Sequence, residues 1–212
     1  MAAKKAKAKV QTQEEVNEDK SGPAGPPVGS RGQPLSGDPL YDNHIHMFMT
    51  GFNEESCAVA IRFILEKNML PKKQRPKHLT LMINSPGGAV HAAFALIDVM
   101  KTSYHHISTV GIGSIMSAGF LIFASGKEGE RYIGKNAGSM NHQHSDNMDA
   151  KMHDIKAQMK ENQNCEMRCM QILRDATGMT IQEVRNKFIK NPSDQYYTAK
   201  QMVDLNIADH IL

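Results

Sequence analysis

The chain has no tryptophan, few aromatic residues (6%) and three cysteines in 212 residues. Three cysteines cannot build a disulfide framework, so a reducing compartment is the simpler expectation. No apolar run approaches the roughly 18 residues that a membrane-crossing helix needs. Nor does an apolar stretch follow the N-terminal lysines, which argues against a secretory signal. Charge of one sign is also scarce. The formal net charge is +3, too little by itself to point to nucleic acid or a membrane surface.

What is present divides near residue 40. Lys4, Lys5, Lys7 and Lys9 open the chain, and Glu14, Glu15, Glu18 and Asp19 follow. Pro23, Pro26, Pro27, Pro34 and Pro39 then alternate with glycines, a stretch with almost nothing to bury. Residues 1–40 therefore read as a disordered tail or propeptide, and residues 41–212 as one folded domain with enough chain for a real core. The basic run Lys72, Lys73, Arg75 and Lys77 is flanked by Pro71 and interrupted by Pro76, which suits an exposed connection.

The folded part alternates strand-like and helix-like segments. Strands are expected at residues 44–50, 79–83 and 107–110. Helices are expected from Asn53 as N-cap through Asn68, and over 89–102, 117–124 and about 147–176. Repeated strand–helix units imply an α/β fold with a largely parallel sheet. Cys165 and Cys169 fall four apart on the last helix and read as small packing residues. His44 and His46 alternate along the first strand, on a partly exposed sheet face.

Two glycine-rich turns follow strands. Ser85-Pro86-Gly87-Gly88 leads into a helix, where a residue without Cβ lets a backbone N–H approach a ligand. Gly111-Ile112-Gly113-Ser114-Ile115-Met116-Ser117-Ala118-Gly119 is neither a G-x-S-x-G elbow nor a P-loop. Local pattern alone makes Ser117 a helix N-cap. His142, His144 and His153 with Asp146 and Asp149 lack the spacing of a metal site, so neither metal nor organic cofactor is expected.

Taken together, four strings resemble the ClpP-type serine protease family. They are Ile83–Gly88, Gly113–Gly126, Met140–Gln143 and Asp194–Asp209, in family order. The resemblance covers about residues 44–212 and implies the ClpP/crotonase-like fold of repeated strand-strand-helix units. It implies a catalytic triad of Ser117, His142 and Asp194, with an oxyanion hole from the N–H groups of Gly88 and Ala118. Asp204 and Asp209 lie near Asp194 as rival carboxylates. It further implies a serine endopeptidase that cuts unfolded polypeptide inside a heptameric or double-heptameric ring. An ATP-dependent AAA+ unfoldase would feed that ring, in the cytoplasm.

The chain departs from the family in places. Ala118 stands where the family has Met. His144 stands where it has Pro. Ser145–His153 holds no glycine where the family has a glycine-rich strand that lines the substrate channel. Pro39 disfavours helix at the residue before it, where the family has a short helix. Two alternatives follow: a catalytically inactive assembly subunit of the same fold, and an acyl-CoA enzyme of the crotonase superfamily.

Overall fold

In the computed structural model, residues 38–143 and 151–212 are described. The first element is a single turn, α1 (Pro39–Asp42). Proline forbids helix at the residue before it but starts one well, because its missing N–H would have no partner there. Asp38 supplies the cap, accepting the Leu40 N–H at 2.9 Å. Asp38 is extended, as expected of the residue before a proline, and the helix begins at Pro39 itself. The rest of the expected tail lies outside the described residues.

The elements then run β1 (Ile45–Phe48), α2 (Glu54–Asn68), β2 (His78–Ser85), α3 (Val90–Thr102) and β3 (His106–Met116). Next come α4 (Ala118–Ala124), β4 (Arg131–Ile133), β5 (Gly138–Asn141) and the long α5 (Met152–Thr177). The chain closes with α6 (Ile181–Val184), a π-helical turn at Arg185–Ile189, β6 (Gln195–Tyr197), α7 (Ala199–Asp204) and β7 (His210–Ile211). Asn53 caps α2 in a reciprocal box with Ser56, and Gly178, at φ +73°, ends α5. Lys72–Gln74 form an exposed 3-10 turn between the prolines.

The sheet order is β1-β2-β3-β4-β7, all parallel. β5 lies beside the end of β3, parallel to it, and β6 runs antiparallel to β5. This is the parallel-dominated α/β architecture the alternation implied. β2 shows why the strands are buried: Leu79, Leu81 and Ile83 are each 0% exposed and point to one face. All seven residues of α4 are buried, as its small apolar sequence suggested. Cys165 and Cys169 pack into the core from α5.

Two sequence expectations need correction. β3 was expected to stop at Val110, before the glycines, yet it continues to Met116. The pairing jumps from Ile83↔Gly111 to Ser85↔Ile115, so β3 accommodates two extra residues in a bulge. Gly113 makes the bulge possible at φ +61°; a Cβ there would sit 2.6 Å from Asn84 Oδ1. Asn84 Oδ1 accepts the Ser114 N–H at 2.9 Å and holds the bulge. The bulge divides β3, whose first half pairs β4 and whose last residues pair β5. His44, second, is not in β1 but in the turn before it, at φ +63°. His46 is in β1 and packs on Phe48 and Phe63, with ring centroids 4.8 and 5.6 Å away.

Candidate active site

β2 and β3 run parallel, so the turns after them emerge at the same end of the sheet. Ser85-Pro86-Gly87-Gly88 follows β2, and Ser117 stands between β3 and α4. Gly87 has φ +101° and Gly88 φ +148°, conformations that favour glycine. The turn passes against Ser117: a Cβ on Gly87 would lie 2.6 Å from the Ser117 Cβ. A Cβ on Gly88 would lie 2.1 Å from the Phe52 carbonyl oxygen. The Phe52 N–H donates to Gly87 O, and the Ala89 N–H donates to Phe52 O, both at 2.8 Å. Those bonds fix the peptides on either side and leave the Gly88 N–H with no acceptor among the described residues. The Ala118 N–H, at the start of α4, likewise has none.

Ser117 has φ +53° and ψ −121°, a sparsely populated conformation for a residue with a side chain. It sits at a strained strand-to-helix turn, the geometry of a nucleophile elbow with Gly119 two residues on but Ile115 where that motif has its first glycine. Its side chain makes no capping hydrogen bond. The Oγ lies instead 2.8 Å from His142 Nε2. Ser117 thus holds the N-cap position that local pattern suggested, but its hydroxyl meets His142 rather than capping the helix. The Ser117 N–H donates to Met140 O at 2.8 Å, tying the turn to β5.

His142 directly follows β5. Its neighbours fix that strand end: Asn141 Nδ2 donates to Phe188 O and Gln143 Nε2 to Ile189 O, each at 2.8 Å. Both acceptors are in the π-helical turn. Asn141 and Gln143 had no assigned role in the sequence, although both belong to the motif around His142. Their signal was proximity alone, since the residues they grip lie some 46 positions away.

Asp194 is brought near, but not into contact. β5 and β6 pair Asn141 with Gln195, so one further step of the ladder sets Asp194 opposite His142. Asp194 is exposed, and no hydrogen bond joins its carboxylate to His142. Its two rivals are engaged elsewhere. Asp209 is paired with Arg131, with Arg131 NH2 to Oδ1 at 2.6 Å, and Asp204 with Lys200 on the surface.

Ser117, His142, Gly88 and Ala118 line one cleft of about 380 Å³. Leu121 and Ile189 give it an apolar side. Gln158, Glu161 and Glu166 of α5 give it a polar one. The arrangement provides a hydroxyl beside an imidazole, two free backbone donors and room for a chain segment. Of the histidine and aspartate group for which no metal is expected, His144, Asp146 and Asp149 lie outside the described residues, as does the glycine-free segment from Ser145 through Ala150.

Residues 38–212 match the family model described as Clp protease. The chain belongs to the Clp protease family. It is similar to the ATP-dependent Clp protease proteolytic subunit 1 of Leifsonia xyli subsp. xyli, 31% identical over 75% of this chain and 77% of the relative. It is similar to proteolytic subunit 2 of Tropheryma whipplei, 33% identical over 70% and 81%. Subunit 2 of Bifidobacterium longum is 26% identical over 82% and 84%. This member of the Clp protease family is a ClpP-type protein across its whole described fold. Among its described residues no helix is long and apolar enough to cross a membrane.

Proposed function

We propose that this protein is a serine endopeptidase that hydrolyses unfolded polypeptide by acyl transfer. The observation that carries the reading is the 2.8 Å contact between Ser117 Oγ and His142 Nε2 at a strained strand-to-helix turn. Ser117 Oγ attacks the scissile carbonyl carbon while His142 Nε2 takes the hydroxyl proton. The carbonyl oxygen becomes an oxyanion and accepts hydrogen bonds from the Gly88 and Ala118 N–H groups. Losing one such donor costs about 2.7–4 kcal/mol in a comparable hydrolase. His142 then gives its proton to the departing amine, leaving an acyl ester on Ser117. Water, deprotonated by His142, attacks that ester and releases the acid. Asp194 orients the imidazole by accepting from Nδ1, which requires a local closure of the segment ahead of β6 onto His142.

The family and the names of the relatives support a proteolytic subunit that works in a ring, with an ATP-driven partner supplying unfolded chain. Confinement inside a ring of copies gives a reason for an exposed, unguarded cleft on each subunit. A second reading, an inactive assembly subunit, is favoured by the lack of a hydrogen bond between Asp194 and His142.

A fluorogenic peptide assay and labelling by a serine-reactive phosphonate test both readings on the assembled protein. Wild type should hydrolyse the peptide and take up the label at Ser117. Ser117→Ala should lose both while keeping its oligomeric size. Full activity in Ser117→Ala sinks the triad; an inert wild type in intact rings selects the inactive subunit.

A further inference from the structure

At the other end of the strands from Ser117, three side chains of chemical interest converge. The parallel register pairs His78, the first residue of β2, with His106, the first of β3. Neighbouring strands are about 4.8 Å apart, and paired residues point to the same face, so the two imidazoles must meet. Their ring centroids are 5.2 Å apart, near perpendicular. Glu130 directly precedes the next strand, β4. β3 and β4 pair Thr109 with Arg131, and one step back sets Glu130 beside Ser108. The carboxylate lies between the histidines: His78 Nδ1 to Oε2 is 2.8 Å and His106 Nδ1 to Oε1 is 3.1 Å. The Ser108 hydroxyl donates to Oε2 at 2.5 Å and fixes the carboxylate from the strand side.

We propose that His78, His106 and Glu130 form a binding site for a divalent transition-metal ion of the zinc type. Two imidazoles and one carboxylate are a common donor set for zinc, with water in the fourth position. The three donor atoms lie within 4.8 Å of one another. Around a tetrahedral zinc, N and O ligands stand about 3.4 Å apart, so small side-chain rotations suffice. The ion replaces the hydrogens now shared between the histidines and the carboxylate, and each Nδ1 turns its lone pair to the metal. The histidine side chains are 43% exposed and Glu130 is 19% exposed, so the ion has an entry path and the anion is partly shielded. Ser108 keeps its bond to the carboxylate, as a group that orients a ligand from behind. Burial pushes the Glu130 carboxyl up, but the Ser108 and histidine contacts outweigh it and bring it to about 2, so the ligand is anionic at neutral pH.

A second cluster, His91, Glu161 and Cys165, lies by the cleft. There the Arg168 guanidinium bonds Glu161 and reaches Cys165 Sγ at 3.5 Å, putting a positive charge where the ion would sit. It serves as the control. Sequence alone could not suggest the first site, because its residues come from the starts of β2 and β3 and the residue before β4, and no two are close in the chain.

The test is zinc titration calorimetry on the chelator-treated full-length protein. Wild type should bind one zinc per chain. His78→Ala, His106→Ala and Glu130→Gln should each weaken that site at least about tenfold, and Cys165→Ser should leave it intact. Crystals of wild type grown with zinc need no variant and should give an anomalous peak between the three donors. No zinc uptake, equal binding in the variants, or a peak placed only elsewhere overturns the proposal.

Discussion

Replacing Asp209 by Asn separates the carboxylate that holds the fold from the one assigned to the site. The Arg131 side chain is 3% exposed and its guanidinium meets Asp209 through two bonds, Nε to Oδ2 at 2.9 Å and NH2 to Oδ1 at 2.6 Å. The Arg131 backbone N–H adds a third at 2.9 Å, so Asp209 joins β4 to the last strand. Asn has nearly the same shape but no charge, and its NH2 group would turn donors toward a guanidinium that is all donors. Breaking a buried pair costs about 3–5 kcal/mol. The Asp209 side chain is 16% exposed, which lets water offset part of the loss and favours the lower end. About 3 kcal/mol is a large share of a typical stability of about 5–15 kcal/mol. For a chain of this size it lowers Tm by about 6–12 °C. Asp194→Asn should instead leave stability within about 0.5 kcal/mol and cut peptide turnover by up to about 10⁴-fold.

Acidification gives a second axis to the same experiment. Burial pushes the Asp209 carboxyl up, but the Arg131 hydrogen bonds and charge outweigh it and hold it below its usual range. A lowered folded value means the unfolded chain takes the proton first. The contribution is therefore complete above the unfolded value of about 3.9 and is lost as pH falls through the folded value. Denaturant unfolding and thermal melts from neutral pH into acid should show a gap between wild type and Asp209→Asn that narrows only at the acid end. If the two melt within about 2 °C at neutral pH, or the gap is the same in acid, the ion pair does not hold these strands as described.

Ser117→Gly and Ser117→Ala should both be inactive, but Gly should be the more stable. Strain at φ +53° amounts to about 1–3 kcal/mol, against about 0.4–1 kcal/mol of added freedom in the unfolded glycine chain, and equal urea midpoints would refute the strain. His46, which burial beside Phe48 and Phe63 brings to about 4, costs stability when it must charge. Between its unfolded value near 6.5 and about 4, the unfolded state binds more protons, so wild type should lose stability as pH falls through that window, and His46→Phe should remove that slope. Cys57, Cys165 and Cys169 are free and buried, and burial pushes Cys169 up to about 12. Iodoacetamide should modify none of them in the native protein and all three after unfolding, as read by mass spectrometry.

Much of the architecture was legible in the order of residues because the signals are local. Periodicity marks β2 and α3, and Asn53 caps the start of α2. The family strings also named Ser117 and His142 before any distance was known. Other features required the fold. The glycines at 111 and 113 read as a turn, yet strand pairing with β2, β4 and β5 drew them into one bulged strand. The contrast among Asp194, Asp204 and Asp209 was invisible in composition. Only packing decides that one pairs with buried Arg131, one with surface Lys200, and one stands opposite His142 at the end of the β5–β6 ladder. The physical reason is range. Propensity and capping act within a few residues, whereas hydrogen bonds and charge pairs across a parallel sheet join residues that the chain separates. Strand–helix alternation and the chemical types at the cleft follow from residue order; long-range packing sets how those side chains are arranged there, and brings two histidines and a glutamate together at the opposite end.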